Sequence, residues 1–148
     1  MQNNLSRKLI RLYGAAVALA LIGLGDALYL TVQHLTGQSV RCSITSGCSQ
    51  VLSSSYAQVG GIPTAAFGVA AYFTAFSLAV LALFGYLWAR TMLALVVACM
   101  FAATLWLLYL QAFVLRAFCQ YCLLSAAVTI ALSAIVLLAR QKTVDNQP

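Results

Sequence analysis

Four of the five cysteines in this 148-residue chain fall into two pairs, Cys42 with Cys48 and Cys119 with Cys122. A C-x-x-C at helical spacing brings its Cα atoms to about 5–6 Å, inside the range a disulfide can bridge. At a helix N-terminus the free N–H groups and the dipole stabilise a thiolate, which is the attacking species in thiol–disulfide exchange. Static chemistry also fits these residues. Cys119 and Cys122 could be a helix-end staple, Cys42 and Cys48 an inert loop disulfide, and all four together a zinc site. Cys99 stands alone in an apolar run and reads as a small buried apolar residue.

The elements that position these cysteines are membrane spans. The chain is 64% hydrophobic and 7% charged, against about 45–50% and about 25% in soluble domains. A soluble enzyme, a disordered tail and a nucleic-acid module are thereby excluded. A spanning helix needs about 20 apolar residues, and four stretches qualify, near Leu12–Gln33, Pro63–Ala89, Thr91–Leu115 and Ala117–Ala139. The expected fold is all-α, a single domain over residues 1–148 forming an integral membrane four-helix bundle. A cleavable signal peptide is the lesser reading of the first stretch, which is long for one and lacks a clear cleavage site.

The net charge of +6 comes from 8 basic against 2 acidic residues. Arg7, Lys8, Arg11, Arg90, Arg140 and Lys142, six of those eight, fall on one side of the predicted topology. The positive-inside rule makes that side cytoplasmic, with both termini on it. The loop 34–62 and the turn near Arg116 then face outward, with all four paired cysteines. The loop is long enough to need structure of its own. Leu52, Tyr56 and Val59 predict a short surface helix capped by Ser46, and Pro63 is placed to begin the second span.

Two exchange pairs on one membrane face suggest a relay. A soluble partner cannot reach a molecule dissolved in the bilayer, so a loop pair takes its electrons and an interface pair passes them on. A quinone suits the final step, because it accepts two electrons and two protons and is confined to lipid. No haem, flavin or iron–sulfur motif is evident, and no metal is expected. Asp26 is the sole acid in a span; it should face the bundle, either handling protons at the acceptor or making an interhelical hydrogen bond. Tyr29 and His34 lie at the same end, where interfacial and solvated roles are common.

Beyond these separate features, the order of motifs resembles the vitamin K epoxide reductase family in its bacterial form. The carriers are Asp26, Tyr29, Thr31 and His34; Cys42; Cys48 and Ser49 through Ser53 and Ser54; Gly61, Ile62 and Pro63 with Phe67 and Gly68; and Cys119 and Cys122 with Ser125 and Ala126. The resemblance implies a bundle around a quinone, closed by the loop. It implies that Cys122 is nearest the quinone, that Cys119 is its disulfide partner and open to attack by Cys48, and that Cys42 exchanges with a DsbA-like thioredoxin-fold oxidase of the periplasm. By analogy Ser54 holds the loop cover, Ile62, Pro63, Phe67 and Leu123 wall the quinone, and Asp26 and Tyr29 join Cys122 in lining its site.

Many bacterial members carry a fused thioredoxin-like domain, whereas this chain stops nine residues beyond Ala139, so a separate partner is expected. Animal enzymes place a tyrosine where this sequence has Ala126, which favours ubiquinone or menaquinone over vitamin K epoxide. The expected activity is reoxidation of a periplasmic dithiol at the expense of quinone, in the bacterial inner membrane. Three rivals are a dedicated quinone or epoxide reductase, a four-helix transporter using Asp26, and a structural protein with inert disulfides.

Overall fold

The computed structural model describes residues 2–145. The chain forms α1 (Gln2–Leu35), α2 (Cys48–Leu52), β1 (Gln58–Val59), β2 (Ile62–Pro63), α3 (Thr64–Leu83), α4 (Leu87–Tyr109) continued by a π-helical turn (Leu110–Leu115), and α5 (Gln120–Val144). Four helical segments, Ser6–Leu35, Thr64–Leu83, Leu87–Leu115 and Gln120–Val144, are long and apolar enough to cross a membrane. α1 and α4 each pack against α3 and α5, which gives a four-cornered, up-and-down membrane bundle.

Small side chains let the helices approach. Ala16, Ala20, Ala75, Ala79, Ala82, Ala89 and Ala139 are wholly buried, as expected where packing rather than hydrophobic transfer drives association inside lipid. The tightest approach is between Gly23 and the ring of Tyr72, where any Cβ would overlap the ring. That ring cannot give way. Its hydroxyl donates to the Ser125 carbonyl at 2.9 Å and also bonds the Ser125 and Thr129 hydroxyls at 2.8 and 2.9 Å, tying α3 to α5. Gly23→Ala is therefore expected to lower the stability of the bundle by about 1–3 kcal/mol. A thermal melt in detergent that matches the native one would show that the three helices can separate without strain.

Two helix ends share one device. Gly37 (φ 66°) and Gly85 (φ 97°) take the left-handed conformation after α1 and α3. In each case the next residue's N–H reaches back five residues, Gln38 to Gln33 and Tyr86 to Leu81, closing a Schellman motif. The second span thus ends at Leu83 rather than Ala89, and Trp88, Ala89 and Arg90 belong to α4. Arg90 lies over the ring of Tyr13, 5.3 Å from its centre.

The loop is structured, but its helix differs from the expected one. α2 covers Cys48–Leu52 with Gly47 as its N-cap, not Ser46. Tyr56 lies in a 3-10 turn and Val59 in a two-residue strand. The chain leaves the helix at Ser53 because Gly60 and Gly61, both at positive φ, make a tight hairpin that pairs Val59 with Ile62. The Leu52, Tyr56 and Val59 spacing mimicked one helical face across three different elements. Cys99 is exposed on the outside of the bundle rather than buried, since Val97 and Met100 take the inward positions on α4.

Candidate functional site

The last helix begins one residue after the first cysteine of the C-x-x-C. Cys119 is the N-cap of α5, in extended conformation, and Cys122 sits in its first turn. Arg116 holds a left-handed conformation (φ 50°) that ends the π-helical turn and sends Ala117–Cys119 back towards the bundle. The Cys119 N–H donates to Oε1 of Gln111 at 3.1 Å, and its carbonyl accepts from Leu123 N–H at 2.9 Å.

This cap position tunes the thiol. The Cys122 thiol donates to the Cys119 sulfur, and the backbone N–H groups of Cys122 and Tyr121 add to it, while burial and the nearby Asp26 carboxylate oppose. The balance lowers the Cys119 thiol from its usual range to about 7. Near neutral pH about half of Cys119 is then thiolate, and that fraction grows as pH rises through 7. The far-ultraviolet thiolate absorbance of the reduced protein is expected to titrate with a midpoint near pH 7. Cys122→Ala should move that midpoint upward, because the strongest contact to the thiolate is gone. An unchanged midpoint in the variant would assign the effect to the helix end alone.

The loop pair is joined as a disulfide, with Cα atoms 6.0 Å apart. Its members differ in access: Cys42 is partly exposed, whereas Cys48 is buried. Cys48 packs with Cys119, Val51 and Ala117 in one buried cluster, and Cys42 and Cys122 flank it. Two contacts hold this arrangement. A Cβ on Gly47 would lie 2.8 Å from the Phe118 carbonyl oxygen and 2.9 Å from the Phe118 nitrogen, so only glycine lets α2 start against that backbone. On the other flank, Gln120 Oε1 accepts from the Ser43 and Ile44 N–H groups at 3.1 and 2.9 Å. The first of the two residues between the cysteines of the C-x-x-C thus clasps the loop beside Cys42.

A cavity of about 150 Å³ opens beneath this cluster, with mostly apolar walls from α1, the loop, α3, α4 and α5. Apolar cavities of that size take up a benzene ring in other proteins. Cys122, Asp26, Ser54 and Pro63 line it, as do His34 and Gln111. Asp26 is buried, and neither carboxyl oxygen has a hydrogen-bond partner, a state that costs free energy unless something in the cavity completes it. Ser54 donates to the Val51 carbonyl at 2.7 Å, fastening the end of α2 over the cavity. His34 Nε2 lies 2.7 Å from Gln58 Nε2, joining the end of α1 to the hairpin.

Four of the expected wall residues stand elsewhere. Tyr29, Ile62, Phe67 and Leu123 are exposed and do not line the cavity. On the helices the repeat explains this: Asp26 and Leu30 face inward on α1, Gly68 on α3, and Cys122, Ser125 and Ala126 on α5, so Tyr29, Phe67 and Leu123 turn away, while in β2 Pro63 takes the cavity side and strand alternation turns Ile62 outward. Tyr29 instead packs against Tyr121, with ring centres 5.2 Å apart and planes tilted by 40°. The sequence reading missed Gln111, Gln120 and Gly47. Gln111 carried a usable signal, being an amide inside an apolar span like the acid that singled out Asp26. Among the described residues, no group of three or more His, Cys, Asp or Glu side chains is placed to hold a metal ion.

Residues 15–137 match the sequence profile of the vitamin K epoxide reductase family. The chain belongs to that family. A member of the vitamin K epoxide reductase family with four membrane-spanning helices is a multi-pass membrane oxidoreductase. The family is associated with quinones and with thioredoxin-like partners.

Proposed function

We propose that this family member reoxidises a thioredoxin-fold, DsbA-like dithiol protein and passes the electrons through Cys42–Cys48 and Cys119–Cys122 to a membrane quinone. One observation carries the reading: Cys48 is buried against Cys119 while Cys122 lines the cavity. In a bacterial inner membrane, the positive-inside rule supports cytoplasmic termini and cysteines on the periplasmic side. The chain acts as one domain.

The exchange chemistry follows from the cysteine positions. A partner thiolate attacks Cys42, the accessible member of the loop disulfide, and releases Cys48 as thiolate. The partner's second thiol resolves that mixed disulfide, leaving the partner oxidised and Cys42 and Cys48 reduced. Cys48 then attacks Cys119 of the interface disulfide and releases Cys122. Cys42 attacks Cys48 in turn, restoring the loop disulfide and expelling Cys119. A leaving thiol of low pKa departs faster, so the stabilised Cys119 favours this step. The product has a loop disulfide and an interface dithiol.

The cavity suits a quinone ring in size, in its apolar walls and in the unpartnered Asp26 carboxyl. A quinone, when bound, supplies an acceptor for two electrons and two protons. The carboxyl complements either form, since it donates when protonated and accepts when ionised. Ubiquinone and menaquinone both fit this description. Asp26→Asn keeps the shape but cannot deliver a proton, and is expected to slow quinone reduction by about 10²-fold or more while Cys48–Cys119 exchange proceeds normally. Full quinone turnover in Asp26→Asn at every pH would assign the carboxyl to structure alone.

The reading is tested by steady-state quinone reduction in detergent, with a reduced thioredoxin-fold protein as donor. Turnover that disappears in both Cys42→Ser and Cys122→Ser supports the two ends of the relay. Turnover that persists in either variant removes that cysteine from the route.

A further inference from the structure

Gln111 is a polar side chain placed where polarity is costly. It is 3% exposed, within an apolar span, and sits in the π-helical turn that ends α4. Inserted turns of this kind are costly in regular helices and recur at functional sites. Its backbone carbonyl accepts from Ala117 N–H at 3.1 Å, which shapes the approach to Cys119.

The side-chain amide has a fixed sense. A backbone N–H can only donate, so the atom 3.1 Å from the Cys119 nitrogen is the amide oxygen. The NH2 end is therefore turned away from Cys119. Gln111 is also part of the cavity wall that holds Cys122 and the unpartnered Asp26. An amide donor group and an unpartnered carboxyl thus border one apolar cavity, and a ring bearing oxygens on opposite sides would satisfy both.

We propose that Gln111 binds the electron acceptor and positions the exchange cysteine at once: its NH2 donates to a carbonyl oxygen of a quinone in the cavity, while its Oε1 holds the Cys119 amide. This inference rests on reading the cavity as the acceptor site. The two bonds share one amide group, so donation to a ligand polarises the oxygen that grips Cys119 and strengthens that grip. A filled cavity thereby firms the helix cap that carries the thiolate.

The test compares native protein, Gln111→Met and Gln111→Glu, reading KM and kcat for a short-chain ubiquinone with a reduced thioredoxin-fold donor, in acidic and in alkaline buffer. Gln111→Met keeps the shape without either bond, and its KM for quinone should rise about three- to tenfold. Gln111→Glu keeps an acceptor for Cys119 but offers no donor when ionised. Its KM should rise in alkaline buffer and recover in acid, where the carboxyl again carries a proton to donate. A purely structural role would depress kcat in both variants without acid recovery, and that pattern overturns the proposal. Equal KM in all three proteins overturns it too, while leaving the quinone reading intact. Native protein that neither binds nor reduces quinone overturns both together.

Discussion

Fully reduced native protein mixed with excess quinone is expected to form two equivalents of quinol, and Cys48→Ser only one. The arithmetic follows the thiols: two cysteine pairs hold two electrons each, and the loop pair empties only through Cys48. Cys48 is buried in the cluster that contains Cys119, while Cys42 lies at its edge. Serine fits the same space but its hydroxyl does not exchange with disulfides. Under turnover with a protein donor, Cys48→Ser should lose roughly 10³-fold or more in rate, the scale seen when an enzyme's nucleophile is removed. The single equivalent distinguishes a severed relay from a damaged acceptor site, because Cys119 and Cys122 still discharge. Turnover of Cys48→Ser with a protein donor at the native rate would mean that Cys42 reaches Cys119 unaided.

Gly47→Ala is expected to leave all four cysteines in place and still slow transfer from the loop pair to the interface pair by about 10–10²-fold. The added methyl meets the Phe118 carbonyl and nitrogen at 2.8 and 2.9 Å and the Ala117 methyl at 3.1 Å. The first two are backbone atoms of the segment that carries Cys119, so no side-chain rotation relieves the clash. The start of α2 must lift away, and Cys48 lifts with it. Overpacking of this kind costs about 1–3 kcal/mol in stability, while the geometric effect on an in-line sulfur–sulfur attack is larger. Stopped-flow quinone reduction separates the two phases. The first equivalent of quinol should appear at the native rate and the second should be delayed. Two native-rate phases would show that the close approach at Gly47 does not set the exchange distance.

Much of this was legible in the sequence, for reasons that can be named. The spans are long apolar runs, and a run of that kind has few alternatives in a lipid-soluble chain. The C-x-x-C opens the last helix because an apolar run begins there. Asp26 faces inward because lipid penalises the alternative, and the same penalty acts on Gln111, which an equal scrutiny of amides would have found. The division at Gly85 was hidden because apolar residues continue on both sides of it, and only its left-handed conformation marks the turn. The loop helix was misplaced by a coincidence of spacing in a segment too short for periodicity to decide. Gly47 and Gln120 act through partners more than 60 residues away in the chain, and no local pattern announces such contacts. Tyr29, Ile62, Phe67 and Leu123 were assigned to the acceptor site by motif membership; helical phase at Tyr29, Phe67 and Leu123, and strand alternation at Ile62, decide which member of a motif faces the cavity.

The central claim is that Cys48 and Cys119 are the two sulfurs that meet. It is tested most directly by oxidising the Cys42→Ser/Cys122→Ser protein, with Cys99→Ala as background, and mapping its disulfide by peptide mass spectrometry. The account predicts a Cys48–Cys119 bond in nearly all molecules, and none between Cys42 and Cys119 in the matching Cys48→Ser/Cys122→Ser protein. A Cys42–Cys119 bond forming as readily as Cys48–Cys119, or no bond in either protein, would contradict it.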